Sequence, residues 1–137
     1  MNNEIKTVGV LTSGGDAPGM NAAVRAVARK ALDEGVEVVG IVGGYAGLLK
    51  GEFVELSNKT VNNVISVGGT FLLSSRCPEF ATPEGMNKAL RACERFNIDA
   101  VIAIGGDGTF RGATDLTNHG IPSIGIPATI DNHISAT

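Results

Sequence analysis

The 137-residue sequence predicts an α/β fold of three layers, α/β/α, with a mainly parallel central sheet. Three observations carry that reading. Short apolar runs such as Val8-Gly9-Val10-Leu11 and Ala100-Val101-Ile102-Ala103-Ile104 are continuous rather than alternating, as strands buried on both faces are. These runs alternate with segments of helical periodicity, the pattern of parallel strands joined by crossover helices. Glycines come in pairs, Gly14-Gly15, Gly43-Gly44, Gly68-Gly69 and Gly105-Gly106, mostly just behind the apolar runs. That is where tight turns at strand ends need them.

The elements follow in order. Val8 to Leu11 is a strand, followed by the loop Ser13-Gly14-Gly15-Asp16-Ala17. Pro18 suits the first turn of a helix, and Met20, Ala23, Val24, Val27 and Ala31 mark one face of it, with Gly35 at its end. Glu37 to Val42 is the second strand. The stretch from Gly43 to Gly69 stays ambiguous, with an edge strand near Phe53-Val54-Glu55 and a short helix near Val61 to Ser66 as expectations. Thr82-Pro83-Glu84 is a helix start: a capping hydroxyl, then Pro and an acid in the first turn. Its expected buried stripe is Met86, Ala89, Leu90, Cys93 and Phe96. The strand Ala100 to Ile104 ends in Gly105-Gly106-Asp107-Gly108-Thr109, and a helix is expected from there to about His119, with Phe110, Ala113 and Leu116 inward, and then a last strand, Ser123 to Ile126.

Composition narrows the function classes. Hydrophobic residues make up 43% and charged residues 18%, which suits one folded domain over residues 1–137 rather than a disordered chain. A net charge of −3 argues against a nucleic-acid partner. No apolar run approaches a membrane span, and MNNEIKTVGVL lacks the regions of a secretory signal. Cys77 and Cys93 match no metal spacing, and reduced thiols in a cytoplasmic protein are the expectation.

Chemistry gathers in three loops. In an open parallel sheet, ligands sit outside the carboxyl ends of the strands, and the loops around Gly15, Asp107 and Asp131 all leave such ends. The first two read strand-Gly-Gly-Asp-helix. Gly lets backbone approach a ligand, and a helix start offers free N–H groups and a positive dipole end. This is a phosphate cradle in principle, though neither a Walker A loop nor G-x-G-x-x-G. The plain alternative is a tight turn with the Asp as helix cap. Asp107 is the metal candidate, because phosphoryl transfer needs a cation such as Mg²⁺. Asp131, beside Thr129 and Asn132, can take the proton of an acceptor hydroxyl; its plain alternative is a turn residue. Arg76 is a cation within reach of a phosphate or an ordinary surface Arg. Arg25 and Arg29 are four apart on a polar helix face. Cys93 and His119 read as structural.

The stretches Leu11 to Ala22 (LTSGGDAPGMNA), Gly68-Gly69-Thr70-Phe71 with Ser75-Arg76, Ile104 to Thr109 (IGGDGT) and Thr129-Ile130-Asp131-Asn132 resemble the 6-phosphofructokinase family, in family order. The resemblance runs from about Val8 to the end and covers only part of the family's enzyme. It implies the Rossmann-like nucleotide half of that enzyme. The implied reaction moves the γ-phosphoryl of ATP to the 1-hydroxyl of fructose 6-phosphate, with Mg²⁺, in the cytoplasm, in glycolysis. It implies ATP contacts from Gly15, Arg76, Cys77, Gly106, Asp107, Gly108 and Thr109, Mg²⁺ at Asp107, sugar contacts from Thr129, Ile130 and Asp131, and Asp131 as general base. Gly108 and Ala128 resemble the ATP-using rather than the pyrophosphate-using branch. In bacterial members two Arg on the first helix line an effector site for a nucleotide diphosphate, matching Arg25 and Arg29. The complete enzyme is implied to be a homo-oligomer.

Three departures accompany the resemblance. The family motif ends in a second Asp where this chain has His133, and Asn58 stands where bacterial members often place an effector-site Arg. The family's Arg and His that hold the sugar phosphate come from later sequence and from a neighbouring subunit, so the 137-residue chain alone is expected to show weak kinase activity at most. Two other readings remain: a non-catalytic nucleotide-binding fragment or regulatory subunit, and a lipid or NAD kinase that shares the GGDGT loop.

Overall fold

The computed structural model describes residues 5–13, 18–57 and 77–127. They form β1 (Thr7–Thr12), α1 (Pro18–Asp33), β2 (Glu37–Ile41), α2 (Gly44–Lys50), β3 (Phe53–Leu56), a 3-10 turn (Pro78–Ala81), α3 (Pro83–Arg95), β4 (Ala100–Gly105), α4 (Asp107–Asn118) and β5 (Ser123–Pro127). The five strands make one sheet in the order β3-β2-β1-β4-β5. β2, β1, β4 and β5 run parallel. β3 pairs antiparallel with β2, Phe53 opposite Ile41, as the edge strand expected there.

The direction of chain travel explains the layers. The chain moves from β1 to β2 in one direction along the sheet, and from β4 to β5 in the other. Crossovers between parallel strands are right-handed, so opposite travel places α1 and α4 on opposite faces. The core divides accordingly. Val8, Val10, Val38, Ala100 and Ile104 pack with Val24 and Ala28 of α1. Leu11, Ile41, Val101 and Ala103 point the other way and pack with α2, α3 and α4 through Tyr45, Leu48, Met86, Ala89, Cys93, Ala113 and Leu116. Period-two alternation along β1 and β4 thus feeds two cores from strands that read as continuous apolar runs.

The start of α3 follows its cap chemistry: Gly85 N donates to Thr82 Oγ1 at 3.0 Å. Its stripe is shorter than expected. Phe96 lies past the end of the helix, is 42% exposed, and meets the Phe53 ring edge-on with centroids 4.6 Å apart. The helix ends at Arg95, one residue before the last expected member of the stripe. β5 also departs from a strand covered on both faces: Ile124 is 58% exposed, because α1 covers β1 and its neighbours but does not reach this edge. The expected helix near Val61 to Ser66 lies outside the described residues. Among the described residues, no helix is long and apolar enough to cross a membrane.

Candidate active site

A sheet wound outward in both directions has a crevice at the carboxyl ends of the two strands where travel reverses. Here those strands are β1 and β4, paired from Val8 with Ala100 to Thr12 with Ile104. The pairing continues into the rim, where Ser13 N donates to Ile104 O at 2.9 Å. Beyond it the chain must turn sharply into α4, and Gly105 is what permits the turn. A Cβ on Gly105 would stand 2.2 Å from Ser13 O and 2.2 Å from Thr109 Oγ1, distances that no side chain tolerates.

Thr109 ties the turn together. It is buried, 3% exposed, and its hydroxyl donates to Ser13 O at 3.1 Å while accepting from Gly106 N at 3.3 Å. The first helical bond of α4 runs from Phe110 N to Gly106 O at 3.0 Å. The amides of Asp107, Gly108 and Thr109 therefore have no partner inside the helix and lie at its positive end. Gly106 occupies the cap position and Asp107 the first helical position. The alternative of Asp107 as helix cap is thereby corrected.

Asp107 is exposed, and among the described residues no hydrogen bond or ion pair takes its carboxylate. On either side, a Cβ at Gly106 or Gly108 would meet nothing within 4 Å, so the turn presents open space around one free carboxylate. No group of three or more His, Cys, Asp and Glu that could hold a metal ion exists among the described residues. That donor set fits Mg²⁺ bound through one or two carboxylates together with water and phosphate oxygens, which Mg²⁺ prefers to an all-protein cage.

A second structure abuts this turn. Tyr45 on α2 donates its hydroxyl to Thr109 O at 2.7 Å, buried, and its ring stacks on Phe80 with centroids 4.4 Å apart. Phe80 belongs to the 3-10 turn, whose first backbone bond is Phe80 N to Cys77 O at 3.1 Å. The half-buried Cys77 packs against the core cluster that contains Tyr45 and Phe80. Burial, with Asp115 adding to it, pushes the Tyr45 phenol well above its ordinary range. Burial alone pushes the Cys93 thiol up to about 11, as befits a core residue.

Of the residues singled out from sequence, Gly106, Asp107, Gly108 and Thr109 form one turn at the switch point, and Cys77 joins it through Phe80 and Tyr45. Gly15, Arg76, Thr129, Ile130 and Asp131 lie outside the described residues. Their flanks do converge: Ser13 bonds Thr109, and Pro127 pairs with Gly105. Arg25 and Arg29 stand apart on α1, against the opposite face of the sheet. Arg25 is half-buried and its Nε is shielded from solvent with no hydrogen-bond partner among the described residues; Arg29 is exposed. Sequence reading placed Ser13 in the first Gly loop without giving it a role, and missed Tyr45. The one signal for Tyr45 was its being the single Tyr of the chain.

A doubly wound sheet with a Gly-Gly-Asp-Gly-Thr helix start at its switch point is an α/β fold whose helix start has the form of a phosphate cradle. The family profile for Phosphofructokinase matches residues 7–137. ATP-dependent 6-phosphofructokinases of Streptococcus thermophilus and Halalkalibacterium halodurans are 55% and 53% identical over 133 residues, 97% of this chain. The chain spans only about two fifths of these curated relatives, 39% and 42%. The solved phosphofructokinase from Saccharomyces cerevisiae superposes with a TM-score of 0.82 at 34% identity, over 96% of this chain and 21% of that one. The Pichia pastoris phosphofructokinase gives 0.80 at 36% identity, over 94% and 16%. The chain belongs to the phosphofructokinase family.

Proposed function

We propose that this chain supplies the ATP site, the Mg²⁺ ligand and the catalytic base for transfer of the γ-phosphoryl of ATP to the 1-hydroxyl of fructose 6-phosphate. The observation that carries the reading is the turn Gly105 to Thr109, fixed at the switch point by Thr109 with the exposed Asp107 carboxylate at its tip. Two names support the donor and the acceptor: the relatives in Streptococcus thermophilus and Halalkalibacterium halodurans are both called ATP-dependent 6-phosphofructokinase.

In this reading Gly15, Arg76, Cys77 and Gly106 to Thr109 hold ATP, and Thr129, Ile130 and Asp131 hold the sugar. Asp107 would hold Mg²⁺, which when bound neutralises the charge of the phosphates. Asp131 follows Pro127 by four residues and takes the proton of the 1-hydroxyl. The freed oxygen bonds to the γ-phosphorus, the bond from that phosphorus to the bridging oxygen breaks, and ADP leaves with the electron pair. The amides at the start of α4 lie at its positive end, where phosphate oxygens are favoured. Arg25 and Arg29 would serve a nucleotide diphosphate effector. The protein would act in the cytoplasm, as part of a homo-oligomer.

The test is a transfer assay with labelled ATP, using fructose 6-phosphate, NAD and diacylglycerol as separate acceptors. Label should pass to fructose 6-phosphate alone, at the weak rate expected of the 137-residue chain by itself. Asp131→Asn should lower the rate by roughly 10²- to 10⁴-fold, the usual worth of a general base. Label on NAD or diacylglycerol instead, or an unaltered rate in Asp131→Asn, contradicts the proposal.

A further inference from the structure

The turn that carries Asp107 is held from two sides, and only one of them belongs to the rim. Ser13 holds the Thr109 side chain. Tyr45, 64 residues away in sequence, holds the Thr109 carbonyl from α2. A helical carbonyl has two lone pairs; one serves the helix, and the Tyr45 hydroxyl takes the other. The site is shaped for that ring. A Cβ on Gly112 would stand 2.6 Å from Tyr45 Cζ and 2.7 Å from its hydroxyl oxygen, so α4 approaches the ring only because residue 112 lacks a side chain. Phe80 stacks on the same ring. Buried at 6% exposure, with its ionisation suppressed, the phenol stays a donor.

We infer that Tyr45 is a positioning residue for the nucleotide-phosphate site, acting through Thr109 to hold the first turn of α4 in its binding geometry. The inference rests on the function proposed above. Tyr45 need not touch the phosphates. Its hydroxyl fixes the backbone that aims the free amides and Asp107, so that this ordering is complete before the ligand arrives. It also links that turn to Cys77 through Phe80, so that two segments far apart in sequence share one geometry.

The experiment compares the full chain with Tyr45→Phe, which keeps the ring and its stacking on Phe80 and removes only the hydroxyl. Leu116→Val, a fully buried change lower on the same helix, serves as the stability control. Calorimetric titration with MgATP reads affinity, and amide exchange without ligand reads the turn. Tyr45→Phe should weaken MgATP binding about two- to tenfold, the net worth of one hydrogen bond, and speed exchange by a similar factor at Gly106 and Phe110, the hydrogen-bonded amides of the turn. Leu116→Val should lower thermal stability with MgATP affinity unchanged. Equal affinity in Tyr45→Phe and the unsubstituted chain overturns the inference while leaving the proposed function standing. So does an equal loss in Leu116→Val, which would reduce the effect to general softening. No MgATP binding by the folded unsubstituted chain overturns the proposed function, and the inference with it.

Discussion

Thr109 and Gly105 show how single atoms decide the geometry of this site. The Thr109 hydroxyl bridges two chain segments, donating to Ser13 O and accepting from Gly106 N. Gly105 makes that bridge possible by leaving room for both oxygens. Gly105→Ala places a methyl group 2.2 Å from a backbone oxygen that cannot step aside without breaking the pairing of Ser13 with Ile104. The expected loss of stability is about 1–3 kcal/mol, the cost of overpacking, read from urea unfolding. A variant as stable as the original chain would show that the turn has slack. At this scale sequence reading succeeded where the cue was local. Thr82 was visible as a cap because Pro83 and Glu84 follow it, and Asp107 because an apolar run and two glycines precede it. Tyr45 was hidden, since its bond spans 64 residues and no local pattern encodes such a contact.

The elements differ in how firmly the fold holds them. β1 and β4 lie at the centre of the sheet, sealed by α1 on one face and by α2, α3 and α4 on the other. β5 is the edge, with Ile124 58% exposed, whereas Ile104 on β4 is fully buried. The same change should therefore cost very different amounts at the two positions. Ile104→Ala should destabilise by about 2–5 kcal/mol, as buried truncations do, and Ile124→Ala by about 0.5 kcal/mol or less. Equal losses in urea unfolding would mean that the β5 face is covered in solution. The apolar runs predicted strands at both places but could not separate centre from edge, because a short apolar run marks a strand wherever it lies in the sheet. α2 escaped prediction for a related reason: at Gly44–Lys50 it is too short to show a period. The α3 stripe was readable to Cys93 and failed at Phe96, since periodicity does not mark where a helix stops.

For the whole molecule, the direction of winding is what makes a site. Opposite travel from β1 and from β4 puts helices on both faces and leaves a crevice between the two strand ends. The fold class and the rim were legible because alternating apolar and helical segments fix a parallel sheet, and such a sheet gathers its strand-end loops on one side. The convergence of Ser13, Gly105 and Pro127 at that rim required the strand order, which no single segment carries. The central claim is that this rim binds MgATP through the turn at Asp107. Calorimetric titration of the folded chain with ATP, with and without Mg²⁺, in the original sequence and in Asp107→Ala, tests it most directly. The account predicts saturable binding that requires both Mg²⁺ and the Asp107 carboxylate, with Asp107→Ala folding as the original does because that side chain is exposed. Binding unaffected by Asp107→Ala, or absent in a chain shown to be folded, would contradict it.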